Sequence, residues 1–299
     1  MRKLFSVALT VLVAQLAHSA TIPAGTYQVG DTAMDGGYRP RQVTVESYII
    51  EDAQVIFSQW QQVRAWALTN GYLINSGASK KPNYPVYYVN WYDACKWCNA
   101  RSEQQGMTPV YTVNGAVYRI GNAVPDANPN ANGYRLPSAD EWEIAARGGL
   151  TGQRFPNGMK ISEAQANYYG QTYFPYDLGP SGYNTRTKYL PMPYIGNAGM
   201  FKPNGYGMYD MAGNVAQWTF TWSSSAYVFD PQSDQRNWWQ RHFGKNRGSK
   251  ALPTKKLYRG GTWADYAGNL RCGWPNAAVP TTMSNGIGFR CCRSHPDSQ

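Results

Sequence analysis

Between Gly149 and Arg259 about 100 residues pass with neither the 3.6-residue apolar period of a helix nor a sustained strand alternation. In a frame rich in Gly and Asn, that favours an α+β fold of short elements joined by irregular chain over a doubly wound sheet. With 23 Tyr and 11 Trp, aromatic rings are expected to fill the interior where long regular elements do not.

The clear local signals lie before this stretch. Gln42 to Glu46 alternates apolar and polar residues, as a half-buried strand does. Ile56, Trp60, Val63 and Ala67 recur at helical spacing, and Asn70-Gly71 supplies a C-terminal stop. A second helix carries Trp91, Ala94, Cys95 and Cys98 on one face, with Asn90 as its cap and Asp93 in its first turn. Both cysteines therefore point inward. Tyr111 to Tyr118 forms a hairpin around Asn114-Gly115. Ser138 and Glu141 make a capping box, and the third helix that they open stops at Gly148-Gly149.

Arg2 and Lys3 precede an apolar run from Leu4 to Ala14, and small residues follow as far as Ala20, the three-part pattern of a secretory signal peptide. The run is about a dozen residues, against the roughly 20 that span a bilayer. Residues 1–20 are expected to be cleaved, after Ser19 or after Ala20, leaving a periplasmic or secreted chain without a transmembrane segment. Residues 21–299 are long enough for one large domain or two small ones, and no linker, low-complexity tract or fixed-period repeat argues for two. The formal charge of +10 falls to +8 without the leader, which favours partners of negative charge. Cys95, Cys98, Cys272, Cys291 and Cys292 are an odd set for an oxidising compartment, so at least one is unpaired or pairs between chains. Such a thiol is either a small buried apolar group or a reactive site.

Four segments in order are Ile22 to Tyr27, Gly133 to Glu143 (GYRLPSADEWE), Asn204 to Val215 (NGYGMYDMAGNV) and Arg259 to Trp263 (RGGTW), and Gly288-Phe289-Arg290-Cys291 closes the chain. Together the chain resembles the formylglycine-generating, or sulfatase-modifying-factor, enzymes, a family that also includes ergothioneine-type iron oxygenases, pyoverdine-maturation proteins and non-catalytic regulators. The resemblance implies a single loop-rich domain with a C-type-lectin-like core. In the active formylglycine generators an Arg-Gly-Gly-Ser motif precedes two cysteines that bind copper and oxidise a substrate cysteine. Counted from Arg259, the matching positions are Asp265 and Leu270, and neither supplies the soft sulfur that monovalent copper needs. Copper and formylglycine generation are therefore not expected, and Cys272 is only a weak candidate for a lone catalytic thiol. The ergothioneine branch holds iron with three imidazoles, and after the leader only His242 and His295 remain.

The resemblance further implies a disulfide between Cys98 and Cys291, with Cys95 and Cys292 beside it as a second or alternative pair. It also implies calcium on Asp210, with backbone oxygens of Gly213 and Val215 and with Gln217 where the family carries Glu, and a second set at Asn167, Tyr168 and Asp177. Calcium prefers carboxylate oxygen, so a metal-free hydrogen-bonded turn at Asp210 stands as an equal alternative.

No family motif covers the run from Arg236 to Lys256. Arg236, Trp238, Trp239, Arg241, Lys245, Arg247 and Lys250 lie there, followed by Lys255 and Lys256, without an acid after Asp234. Cations among large rings suit an anionic partner, and export points to an envelope protein or an anionic polymer rather than nucleic acid. The alternative is a solvated loop. The expected function is a non-catalytic binding or regulatory module of the cell envelope. The alternative is an oxidoreductase of the same family, of the pyoverdine-maturation or formylglycine-generating kind, acting on a peptidic or small substrate.

Overall fold

The computed structural model describes residues 18–31, 40–223 and 254–296. It begins with strands β1 (Ser19–Ile22), β2 (Gly25–Val29), β3 (Arg41–Val45) and β4 (Tyr48–Glu51). Helices α1 (Phe57–Thr69) and α2 (Trp91–Gln104) follow, then short strands β5 (Tyr111–Val113), β6 (Ala116–Val117) and β7 (Asp126–Ala127) and helix α3 (Ala139–Arg147). Beyond it come β8 (Tyr169–Gly170), β9 (Gly182–Tyr183), β10 (Ala216–Ser223), β11 (Lys255–Arg259), β12 (Asn276–Ala278), β13 (Ile287–Phe289) and β14 (Cys292–Ser294). A 3-10 turn spans Ala267–Leu270. The chain is thus α+β and loop-rich, as expected. The expected leader meets the described chain only at residues 18–20, where Ser19 and Ala20 open β1 and pair with Glu51 and Ile50.

The local signals are realised at named atoms. Asn90 caps α2 by accepting from the Asp93 N–H at 2.8 Å. Ser138 Oγ accepts from Glu141 N at 3.1 Å while Glu141 Oε2 accepts from Ser138 N at 2.7 Å, the reciprocal pair of a capping box. Asn114 and Gly115, at φ 51° and 80°, make the two left-handed residues of a two-residue hairpin loop. Gly148, at φ 60°, ends α3.

Two sheets organise the interior. In the larger, the strand order is β12-β11-β10-β13, with β13 parallel to β10 and the other pairs antiparallel. In the smaller, β1 and β14 flank β4. Trp60 of α1 stacks on Trp97 of α2 at 5.8 Å, and Phe289 stands edge-on to both. Trp142 of α3 packs with Ile22, Ile50 and Cys272 in a second cluster.

β10 corrects the expectation of a featureless stretch. Trp218, Phe220 and Trp222 alternate with Gln217, Thr219 and Thr221, yet the strand is buried from Ala216 to Thr221 on both faces. Its polar face is tolerable because each side chain is bonded: Thr219 Oγ1 donates to Leu257 O at 2.9 Å, and Thr221 Oγ1 accepts from Ala139 N at 2.9 Å.

Lys256 is a second correction. Expected at the end of an exposed basic run, it is fully buried on β11, opposite Trp222. Its Nζ donates to Phe220 O at 2.8 Å and lies 3.7, 4.1 and 4.5 Å from the ring centroids of Trp222, Trp91 and Phe220. Burial pushes its ammonium well below the ordinary lysine value of 10.5. The unfolded chain therefore holds this proton over a range of pH in which the folded chain has released it, and stability rises with pH through that window. Lys256→Met, which keeps the stem and removes the charge, is expected to melt at or above wild type near pH 7, and its advantage to vanish as the pH approaches 10.5. Calorimetry across that range checks it. A lower melting point at every pH would show that the ring contacts outweigh the desolvation.

Candidate functional site

The turn after β11 carries the positions that the resemblance matches to the family's thiols. Gly261 sits at φ 69°, and a Cβ there would lie 2.7 Å from Leu270 Cδ1, so only glycine lets the turn fold back over the 3-10 segment. Thr262 N donates to Asp265 Oδ2 at 2.8 Å, and Ala264 N donates to Thr262 Oγ1 at 3.2 Å. Asp265 thus closes its own turn. Burial raises its carboxyl above the usual range, while hydrogen bonds from Thr262 oppose the shift. Leu270 is fully buried beside Phe155, Ile161 and Ala267. It packs and offers no donor atom.

Cys272 is also fully buried, next to Trp142 and Met211. Burial pushes its thiol up to about 12; Arg147 acts against this and Glu143 adds to it. A reactive thiol needs access and thiolate character, and Cys272 has neither.

Around the turn stands a wall of rings. Tyr169 and Tyr183 face each other across β8 and β9 at 4.7 Å, edge to face. Tyr183 also meets Tyr194 at 4.6 Å and Trp263 at 5.6 Å, and Tyr169 meets Tyr266 at 5.6 Å. The Tyr169 N–H donates to Asp265 O at 3.0 Å, which ties the wall to the turn. Trp263 is buried, and its indole N–H has no acceptor among the described residues; Tyr266 is 47 % exposed. The sequence showed the richness in tyrosine but not this convergence, because the residues come from segments without periodicity.

The residues proposed for calcium are placed as follows. Asp210 lies in a turn at φ 50°, and its Oδ2 accepts from Gly199 N at 2.7 Å. Val215 O accepts from Gln54 Nε2 at 2.5 Å, and Gly213 N donates to Gly260 O at 2.8 Å. Gln217 donates to Asp210 O at 2.8 Å. Asn167 is bonded to Tyr194 O at 2.7 Å and to the Thr187 hydroxyl at 2.9 Å. The Tyr168 hydroxyl donates to Asp177.

All five cysteines are buried. Cys98 Sγ lies 3.6 Å from Cys291 Sγ, a contact that oxidation would convert to a bond. Cys292 Sγ accepts from Arg135 Nη1 at 2.9 Å. The basic-aromatic residues Arg236, Trp238, Trp239, Arg241, Lys245, Arg247 and Lys250 lie outside the described residues.

A family description, the sulfatase-modifying factor enzyme 1-like domain, matches residues 6–295. The chain belongs to this family. Among its relatives, it is 28 % identical to the chaperone protein LppX of Paenibacillus barcinonensis, covering 98 % of this chain and 100 % of that one. It is also 28 % identical to a formylglycine-generating enzyme of Thermomonospora curvata, over 72 % of this chain but 57 % of the enzyme. Among solved structures, Treponema denticola variable protein 1 superposes with a TM-score of 0.68 at 25 % identity, over 93 % of this chain and 95 % of that one. The sulfatase-modifying-factor fold, C-type-lectin-like in its core, is therefore that of this chain.

Two outcomes follow for the thiols. Native protein treated with iodoacetamide at about pH 8 is expected to leave Cys272 unmodified and to alkylate it only after denaturation. Peptide mapping of protein purified from an oxidising compartment is expected to recover Cys98 linked to Cys291. A Cys272 that labels in the native state would restore it as a reactive group.

Proposed function

We propose that this chain is a non-catalytic binding module of the sulfatase-modifying-factor family, exported to the periplasm or beyond, which holds a protein or anionic polymer partner. The observation that carries this is the pair Asp265 and Leu270 at the thiol positions, one carboxylate closing its own turn and one buried leucine. Copper in its monovalent state needs soft sulfur, and these side chains offer a hard oxygen and a hydrocarbon. These two positions offer the family's copper route no ligands.

The wall of Tyr169, Tyr183, Tyr194 and Tyr266 supports a contact face at the same place. Tyrosine offers a large, stiff apolar surface with a polar tip, which suits recognition at little entropic cost. The full-length match to a protein named as a chaperone also supports a role in holding another protein. The charge of +8 without the leader favours an acidic partner. The formylglycine-generating alternative would have to run through Cys272, whose burial and raised pKa weigh against it; an oxidoreductase of the pyoverdine-maturation kind would act through other residues.

Cross-linked capture from the native envelope tests the proposal with three proteins: the mature chain, Tyr266→Ala, and a variant with Arg236, Arg241, Lys245, Arg247 and Lys250 all changed to Ala. A specific partner retained by the mature chain and lost roughly tenfold or more in Tyr266→Ala is expected, as for a residue central to an interface. Loss only in the five-alanine variant would move the contact face to the basic run. Conversion of a cysteine-containing peptide to its aldehyde by the copper-loaded mature chain would overturn the non-catalytic assignment.

A further inference from the structure

The family resemblance places a calcium ion among Asp210, Gly213, Val215 and the side chain at position 217. We infer that in this chain Gln217, Arg290 and Trp142 take over the structural work of that ion, so that the turn around Asp210 is held without metal. Gln217 is fully buried on β10. Its Oε1 accepts from Trp142 Nε1 at 2.7 Å and from Arg290 Nε at 2.6 Å. An amide oxygen has two lone pairs, and both are engaged. Its Nε2 donates to Asp210 O at 2.8 Å. One amide therefore joins α3, the C-terminal segment and the Asp210 turn, three parts of the chain that a bound cation could otherwise gather.

The rest of the donor set points the same way. Calcium takes six to eight oxygens and gains affinity with each carboxylate. At this turn the only carboxylate among the proposed ligands is Asp210, and its Oδ2 is occupied by the Gly199 N–H. Asp210 Oδ1 and Gln54 Oε1, whose amide donates to Val215 O, are the side-chain oxygens here without a donor among the described residues, and two oxygens are far short of a calcium shell. Val215 O already accepts from Gln54. The buried guanidinium of Arg290 is fixed in place by Glu51 O and Asp52 O at 3.0 Å and Tyr209 O at 2.6 Å. It keeps a fixed positive charge beside the turn, which opposes a divalent ion. The second set is likewise served by protein donors: Asp177 accepts from the Tyr168 hydroxyl, from Gly179 N at 3.0 Å and from Gln171 N at 2.7 Å.

The assignment concerns binding and stability and is independent of whether the chain is an enzyme. Mature protein is dialysed against EDTA and then melted alone, with calcium chloride and with magnesium chloride, each at roughly 1,000 times a micromolar Kd, where a true site would add about 4 kcal/mol. Superposable melting curves and no heat of calcium binding in titration calorimetry are expected. A rise of several degrees with calcium but not with magnesium would overturn the inference. Gln217→Glu, which restores the family's carboxylate, is expected to acquire a calcium-dependent rise in melting temperature. A folded Gln217→Glu protein that gains none would refute the assignment of the lost site to Gln217; if that variant fails to fold, the wild-type melting curves and titration decide the question.

Discussion

Strand β10 is the constraint on which the described structure depends, because from Ala216 to Thr221 it is buried on both faces while half the side chains there are polar. Every one of those polar groups must find a partner inside the protein. Gln217 reaches α3, the Asp210 turn and Arg290; Thr219 reaches β11; Thr221 receives the first N–H of α3. The Trp218 indole N–H donates to Val89 O at 3.0 Å, just before α2. Position and bonding are thus fixed together, since moving any neighbour of β10 would strand a buried donor or acceptor.

The irregular chain is held by the same means on a larger scale. Arg135, Arg259, Arg271 and Arg290 are all buried, and each is tied to a carboxylate or to backbone carbonyls of distant segments. Arg135 grips Glu141 through two bonds of 2.7 Å, and Arg271 pairs with Asp31 at 3.0 Å. A guanidinium presents five donors in a rigid fork, so it can satisfy several loop carbonyls that no sheet ladder reaches. Removing one partner of such a buried pair leaves an uncompensated charge, which makes these pairs sensitive points regardless of their net worth.

Legibility in the sequence followed the range of the interactions. The caps at Asn90 and Ser138 and the Asn114-Gly115 turn act within a few residues, so each could be read locally and each is present. β10 carried its alternation openly from Gln217 to Trp222, but it lies in a segment otherwise without period, and its polar face gives no hint of burial. β12, β13 and β14 are three residues each, too short to establish a period. At the site, Asp265 and Leu270 were legible because they lie at fixed offsets from Arg259. The tyrosine wall was not, since only the tertiary fold brings Tyr169, Tyr183, Tyr194 and Tyr266 together. Lys256 looked like the end of a solvated charge run and is instead enclosed by three rings.

The small sheet has a mechanical consequence. β1 and β14 both run antiparallel to β4 on its two sides; Ser19 lies opposite Glu51 at one end, and Ser294 lies opposite Tyr48 at the other. A pull on the mature chain through Thr21, opposite Ile49, and through Ser294 would draw the two outer strands in opposite directions along their common axis. The hydrogen bonds to β4 would then be loaded together in shear rather than opened one after another as in a zipper. A domain tethered at one end and dragged by a partner at the other would therefore resist through this three-stranded clasp before its interior felt the load.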